Sequence, residues 1–272
     1  MGIIFGIDVG GSTTKIVAFK DKKLIGALQV KAADQLTSMF GAIGNFLLKY
    51  DLTLNDISSI TLTGVGASFF DGDVYGIKTR KVEEFQAIGY GGLHLAGLEE
   101  AFVVSLGTGT AFVRAAKKEI SHIGGSGVGG GTLIGLATKM LGKNDIDAIL
   151  SLAKDGHIEN VDLSVREILN HDIPSLPPNL TASNFGKIKS TATDADFALG
   201  IINMVFQTVG VMAVFAARND TIKDVILTGS LTAIDQAHDI FGDFTQRYGL
   251  NFIIPPDAIY ATAIGAAIYH DS

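Results

Sequence analysis

Four glycine turns hold the residues of this chain whose spacing could do chemistry. The first, Asp8-Val9-Gly10-Gly11-Ser12-Thr13-Thr14-Lys15, sets a carboxylate at the end of an apolar run, then bare backbone amides, hydroxyls and a lysine. A phosphate with a bound magnesium ion would use every part: amides and Lys15 on phosphate oxygens, Asp8 on the metal directly or through its waters. The alternative for this segment alone is an ordinary hairpin turn. The second turn, Gly107-Thr108-Gly109-Thr110, offers the same amides and two hydroxyls. Alone it is a weak signal; opposite the first it suggests a phosphate clamped from both sides.

The third stretch, Gly124 to Gly131, leads into an apolar helical pattern from Thr132. Amides at a helix start attract anions, which makes Gly129, Gly130, Gly131 and Thr132 candidates for holding a nucleotide. Gly125, Gly127 and Gly130 match the dinucleotide spacing GxGxxG, but Asn144-Asp145-Ile146-Asp147 reads as a turn into a new helix, not as the acidic strand end that fingerprint needs. The fourth, Thr228-Gly229-Ser230, ends a strand and could bring Ser230 to a nucleoside. Glu83 and Glu84 cannot both face one site, and a glutamate at a helix start is more often solvated. His94, His157, His171, His238 and His270 show no metal-ligand spacing.

These turns need strands to aim them, and the strands come in two matching sets. Ile3 to Val9 breaks at the first turn and resumes at Ile16 to Phe19; Ala101 to Leu106 breaks at the second and resumes at Ala111 to Val113. Ile60 to Gly64 and Val225 to Gly229 are both apolar runs ending in Thr-Gly. Helical patterns alternate with them at Gln35 to Tyr50, Thr132 to Leu141 and Asp196 to Arg218. Duplication with this alternation predicts an α/β fold with a cleft between two lobes; one larger sheet with accidental echoes is the alternative. Pro174, Pro177 and Pro178 mark a surface connection or lid, and Pro255-Pro256 separates a last strand from a closing stretch, 258–270.

The chain has 272 residues, 47% apolar and 18% charged, which fits two compact units and excludes intrinsic disorder. Its 33 glycines far exceed the usual ~7%, so they serve turns and close backbone approaches. Lys and Arg number 21 against 28 Asp and Glu, a net charge of −7, which argues against nucleic acid and for a small-molecule partner. The absence of cysteine removes disulfides, thiolate zinc and cysteine-bound iron–sulfur clusters. The start, Met1 to Phe5, lacks a basic signal-peptide region, so a cytoplasmic location is expected. Phe197 to Ala217 is long and apolar enough to span a bilayer. Asn203 and Gln207, four apart on one helical face, and the lack of a second span point instead to a core helix without a membrane.

Together, Ile-Asp-x-Gly-Gly-Ser-x-x-Lys, Gly-Thr-Gly-Thr, the third glycine stretch and the late Thr-Gly-Ser resemble the sugar kinase, actin and Hsp70 superfamily. Pro-Asn-Leu-Thr-Ala-Ser-Asn-Phe-Gly ending at Gly186, and Gly265-Ala266, narrow the resemblance. Within that superfamily the chain resembles type II pantothenate kinases over nearly its whole length. The resemblance implies a duplicated actin-like (ribonuclease H-like) fold: a lobe of residues 1–100, completed by the closing helix 258–272, and a second lobe of residues 101–257. It also implies an ATP- and magnesium-dependent kinase acting on the primary hydroxyl of pantothenate, working as a homodimer.

By that resemblance the Glu-Phe pair falls on Glu84, which becomes the catalytic base. Asp8 holds the metal, while Gly10, Gly11, Ser12, Thr13, Lys15, Thr108, Gly109, Gly129, Gly130, Gly131, Thr132 and Ser230 surround the nucleotide, and Asn184 and His122 meet the acceptor. His122 stands where the family carries an arginine, and is a weaker, pH-dependent cation without a bidentate fork; a structural histidine is the alternative. Two other readings stay open: a kinase of another small hydroxylated acid or sugar, and a non-catalytic nucleotide-binding regulator. A related activator of radical dehydratases is removed by the lack of cysteine.

Overall fold

Ile3–Val9 forms the first strand, β1, and is buried along nearly its whole length. Such a strand needs cover on both faces. In the computed structural model, which describes residues 2–32, 34–117, 119–169 and 177–269, β1 is followed by β2 (Thr13–Lys20), β3 (Lys23–Lys31), α1 (Gln35–Lys49), β4 (Ile57–Thr63), β5 (Thr79–Lys81) and α2 (Glu84–Ala96). The second half runs β6 (Glu100–Leu106), β7 (Thr110–Ala116), β8 (Glu119–Ser126), α3 (Gly130–Leu141), α4 (Ile146–Ala153), β9 (Leu163–Ser164), α5 (Val165–Ile168), β10 (Thr181–Ser183) and α6 (Asp194–Ala217). It closes with β11 (Asp224–Thr228), α7 (Asp235–Tyr248), β12 (Asn251–Ile253) and α8 (Ala261–Ile268).

Two five-stranded sheets result, ordered β3-β2-β1-β4-β5 and β8-β7-β6-β11-β12. In each, the first three strands are antiparallel neighbours and the last two join in parallel. The duplication read from the sequence is therefore present strand for strand: Asp8 pairs with Thr63 as Ser105 pairs with Thr228.

One face of the first sheet buries Phe5, Ile7 and Val9 against Met39, Ile43 and Phe46 of α1. The other is covered by α8, which packs on β1, β2 and β4, while α2 packs on β6, β7, β8 and β11. The last helix of each half of the chain thus packs on the other half's sheet. The crossing of α2 and α8 is close enough to demand glycine: a Cβ on Gly91 would lie 1.8 Å from the Ala261 carbonyl oxygen, and one on Gly265 would lie 1.8 Å from that of Ala87.

The long apolar helix α6 lies in the core of the second lobe, with Ile201, Ile202, Val205, Phe206 and Val209 fully buried. By length and composition it could cross a membrane; in the fold it packs on α3, α4 and α7. Its polar face is satisfied by protein. Asn203 Nδ2 donates to Asp162 at 2.8 Å and Gln207 Nε2 to Asn203 Oδ1 at 3.0 Å.

The sequence reading missed β3 and β8. Both alternate exposed and partly buried residues and offer no continuous apolar run. Part of the third glycine stretch is strand, since Gly124, Gly125 and Ser126 end β8, and the helix begins at Gly130. Pro174 lies outside the described residues, as does Leu176, while the carbonyls of Pro177 and Pro178 accept from the amides of Leu180 and Arg166.

Candidate active site

The end of β1 and the start of β2 bring the charged groups of the first turn together. Antiparallel register sets Lys15 beside Asp8, and Lys15 Nζ lies 3.9 Å from Asp8 Oδ2 with both side chains nearly buried. Burial pushes the Asp8 carboxyl above its usual range, and the Lys15 charge partly offsets this. Glu84 opens α2 from the facing side. It is half-buried whereas Glu83 is exposed, and its carboxyl is pushed up to about 7, first by burial and then by the charges of Asp8 and Glu83, against the pull of Lys15. A helix start favours a negative charge by only about 0.3–1 kcal/mol, too little to offset desolvation and two neighbouring acids. Asp8, Lys15 and Glu84 therefore form one electrostatically coupled group.

The two phosphate-type turns face each other. Ser12 Oγ and Thr108 Oγ1 are 2.9 Å apart, and at the cleft edge Lys31 Nζ lies 3.7 Å from Asp145 Oδ2. The third glycine stretch has a different task from the one expected. The amide of Gly130 donates to Gly107 O at 2.9 Å, that of Gly131 to Thr108 O at 2.8 Å, and that of Gly129 to Thr132 Oγ1 at 3.2 Å. The Gly130 and Gly131 amides thus brace the second turn from behind, while that of Gly129 is engaged within its own segment. The glycines are required because the backbones touch: a Cβ on Gly129 would sit 2.8 Å from Thr108 O. Thr132 is likewise engaged, its hydroxyl donating to Gly127 O at 2.8 Å.

Ser230 begins a short turn after Gly229. Gly229 takes a φ of +93° and packs on Leu106 O, and Gly64 takes +86° with Asp8 Oδ1 only 2.6 Å from where a Cβ would be. The Thr-Gly echo is thus a pair of close approaches, and Gly64 walls in the Asp8 carboxylate. His122, exposed on β8, stacks on Phe85 with ring centroids 3.8 Å apart and 7° between planes, which sets it beside the residue that follows Glu84. Asn184 goes elsewhere. Its Nδ2 donates to Asp162 Oδ2 at 3.2 Å, within the network on α6, and no contact among the described residues joins it to Asp8, Lys15 or Glu84. Phe85, Thr63 and Gly64 were not anticipated as site residues, although the Thr-Gly echo was a signal for the latter two.

Among the described residues no cluster of three or more His, Asp or Glu side chains could cage a metal ion. A single carboxylate, Asp8, next to the glycine turns would instead suit a magnesium ion that is carried in on phosphates and keeps most of its waters.

With this geometry in place, comparison with known proteins becomes specific. The Fumble family model matches residues 100–240. The chain belongs to the Fumble family. This Fumble chain is 26% identical to a type II pantothenate kinase of Bacillus cereus (strain G9842), over 97% of each protein. Component A of the Acidaminococcus fermentans (R)-2-hydroxyglutaryl-CoA dehydratase superposes with a TM-score of 0.70 at 17% identity, covering 98% of this chain and 96% of that one. The Clostridium difficile activator of 2-hydroxyisocaproyl-CoA dehydratase, with bound ADPNP, gives 0.70 at 15% identity over 97% and 92%. At such identities the likeness to these two structures is one of fold: a two-lobed α/β architecture shared with actin-like proteins.

Proposed function

We propose that the chain is a type II pantothenate kinase, which transfers the γ-phosphoryl group of ATP to the primary hydroxyl of pantothenate and so commits it to coenzyme A. The observation that carries this reading is the coupled group of Asp8, Lys15 and Glu84 at the mouth of two facing phosphate-type turns, in a chain related over 97% of its length to an enzyme of that name.

Phosphoryl transfer asks the protein for alignment, a proton acceptor and cations. Glu84 accepts the hydroxyl proton as the acceptor oxygen bonds to the γ-phosphorus and the bond to the bridging oxygen of ADP breaks. A carboxyl held near 7 is matched to that task at neutral pH. Lys15 and the hydroxyls of Ser12 and Thr108 hold phosphate oxygens from the two lobes. Asp8 holds the magnesium ion, which offsets phosphate charge when bound. His122, fixed by Phe85, meets the acceptor's carboxylate, and Ser230 approaches the nucleoside. The enzyme acts in the cytoplasm as a homodimer, in keeping with the family resemblance.

A kinase of another small hydroxylated acid or sugar is the second reading, favoured by His122 in place of an arginine. A phosphoryl-transfer assay against pantothenate, pantetheine and a panel of sugars separates them. Turnover of pantothenate above the rest is expected; turnover confined to another acceptor replaces the first reading with the second.

A further inference from the structure

Among the described residues two buried hydroxyls, those of Thr14 and Thr63, have no hydrogen-bond partner. Both residues are fully buried, and a hydroxyl left unpaired in the interior is costly and needs an explanation. The two lie on opposite faces of the first sheet. Thr14 pairs with Val9, whose side chain belongs to the core under α1. Thr63 pairs with Asp8 in the parallel β1–β4 ladder and shares its cleft face.

The duplicated fold supplies an internal comparison. Thr228, the counterpart of Thr63, is equally buried, but its Oγ1 donates to Val104 O at 3.5 Å. The residue paired with Thr228 is Ser105, where the first lobe has Asp8. The threonine hydroxyl is thus satisfied in the lobe without a carboxylate and left over in the lobe with one. Gly64, the residue after Thr63, also crowds the carboxylate: a Cβ there would lie 2.6 Å from Asp8 Oδ1.

We propose that Thr63 is a positioning residue for Asp8: when magnesium nucleotide enters, its hydroxyl donates to the Asp8 carboxylate and holds it toward the metal carried on the phosphates. The inference rests on the nucleotide reading above. In the nucleotide-free protein the hydroxyl is kept unpaired at a cost in stability, as residues at functional sites often are.

The test compares T63V, T63S and T14V in the full-length chain by thermal unfolding, without nucleotide and with saturating ATP across a magnesium titration. Valine replaces the unpaired hydroxyl by a methyl of similar size, so T63V without nucleotide should melt at or above the parent. With ATP, the magnesium concentration giving half the thermal shift should rise about three- to tenfold, the worth of one hydrogen bond. T63S should restore the parental value. T14V should leave the magnesium dependence unchanged. Parental magnesium dependence in T63V, a lower midpoint without nucleotide, or T63S as impaired as T63V would each overturn the proposal; if T63V does not fold, T63S against T63A gives the same comparison. A parent with no magnesium–ATP shift at all overturns the nucleotide reading itself, and this inference with it.

Discussion

The hydroxyls of Ser12 and Thr108, 96 residues apart in the chain, meet at 2.9 Å across the cleft. Each comes from the turn between the first two strands of its own sheet, so the bond joins equivalent points of the two lobes. A nucleotide phosphate held by both hydroxyls must take the place of this bond.

The two side chains should therefore act as a unit. S12A and T108A each lose a phosphate contact but are spared the cost of breaking the Ser12–Thr108 bond, so the double variant should lose more magnesium–ATP affinity than the two single losses added, by about 0.5–1.5 kcal/mol. Calorimetric titration of the four proteins measures it. Strict additivity would mean that the two hydroxyls never share a ligand.

Removing the base acts on the chemical step. E84Q should lower kcat by roughly a hundredfold or more while ATP affinity stays within a few-fold. E83Q, at an exposed position, should remain active. Loss of activity in E83Q alone would move the base by one residue.

The elevated Glu84 carboxyl has two consequences for pH. A base must be ionised, so kcat/KM should climb with pH up to about 7 and level above it. Stability should move the other way. The native carboxyl keeps its proton up to about 7, whereas the unfolded one releases it near 4.5, so the native state binds more protons in that window and loses stability as pH rises through it. E84Q abolishes the ionised form and should unfold later than the parent above about pH 8, by on the order of 2 kcal/mol after allowance for partial solvent contact. Below about pH 4 the two should coincide. A parent more stable than E84Q at alkaline pH would contradict the raised value.

At the helix crossing, G91A and G265A each drive a Cβ to 1.8 Å from a carbonyl oxygen. Each should cost on the order of 3 kcal/mol or prevent folding, since the clash is with backbone and no side chain can yield. G41A, on α1 with nothing within 4 Å of the new atom, should be neutral or gain up to about 1 kcal/mol. Denaturant unfolding of the three variants checks the contrast.

His122 tests the acceptor. H122R keeps a flat group on the Phe85 ring and restores a permanent, forked cation, so kcat/KM for pantothenate should rise roughly ten- to a hundredfold. If the substitution lowers activity, the site is shaped for a different acceptor and the kinase reading stands without pantothenate.

Much of the scaffold was legible along the chain because it depends on neighbours in sequence. Apolar runs ended by glycine mark β1, β4, β6 and β11, and their repetition predicts the duplicated sheets. Helical periodicity locates α1, α3 and α6 to within a few residues. The edge strands β3 and β8 were not legible, because they bury too little to leave a pattern, whereas β12 was marked by the prolines after it. Glycine spacing could say that Gly129 to Gly131 lie near the second turn's chemistry, but not that the amides of Gly130 and Gly131 are already engaged by Gly107 and Thr108 and that of Gly129 by Thr132. Hydrogen-bond partners are assigned in space, and the same residue types can cradle a phosphate or brace the loop that does. The sequence names Asp8, Lys15 and Glu84. Only the packing of α2 on the second sheet and against α8 sets Glu84 across from Asp8 and desolvates it, and that burial, absent from any local pattern, is what raises its carboxyl to about 7.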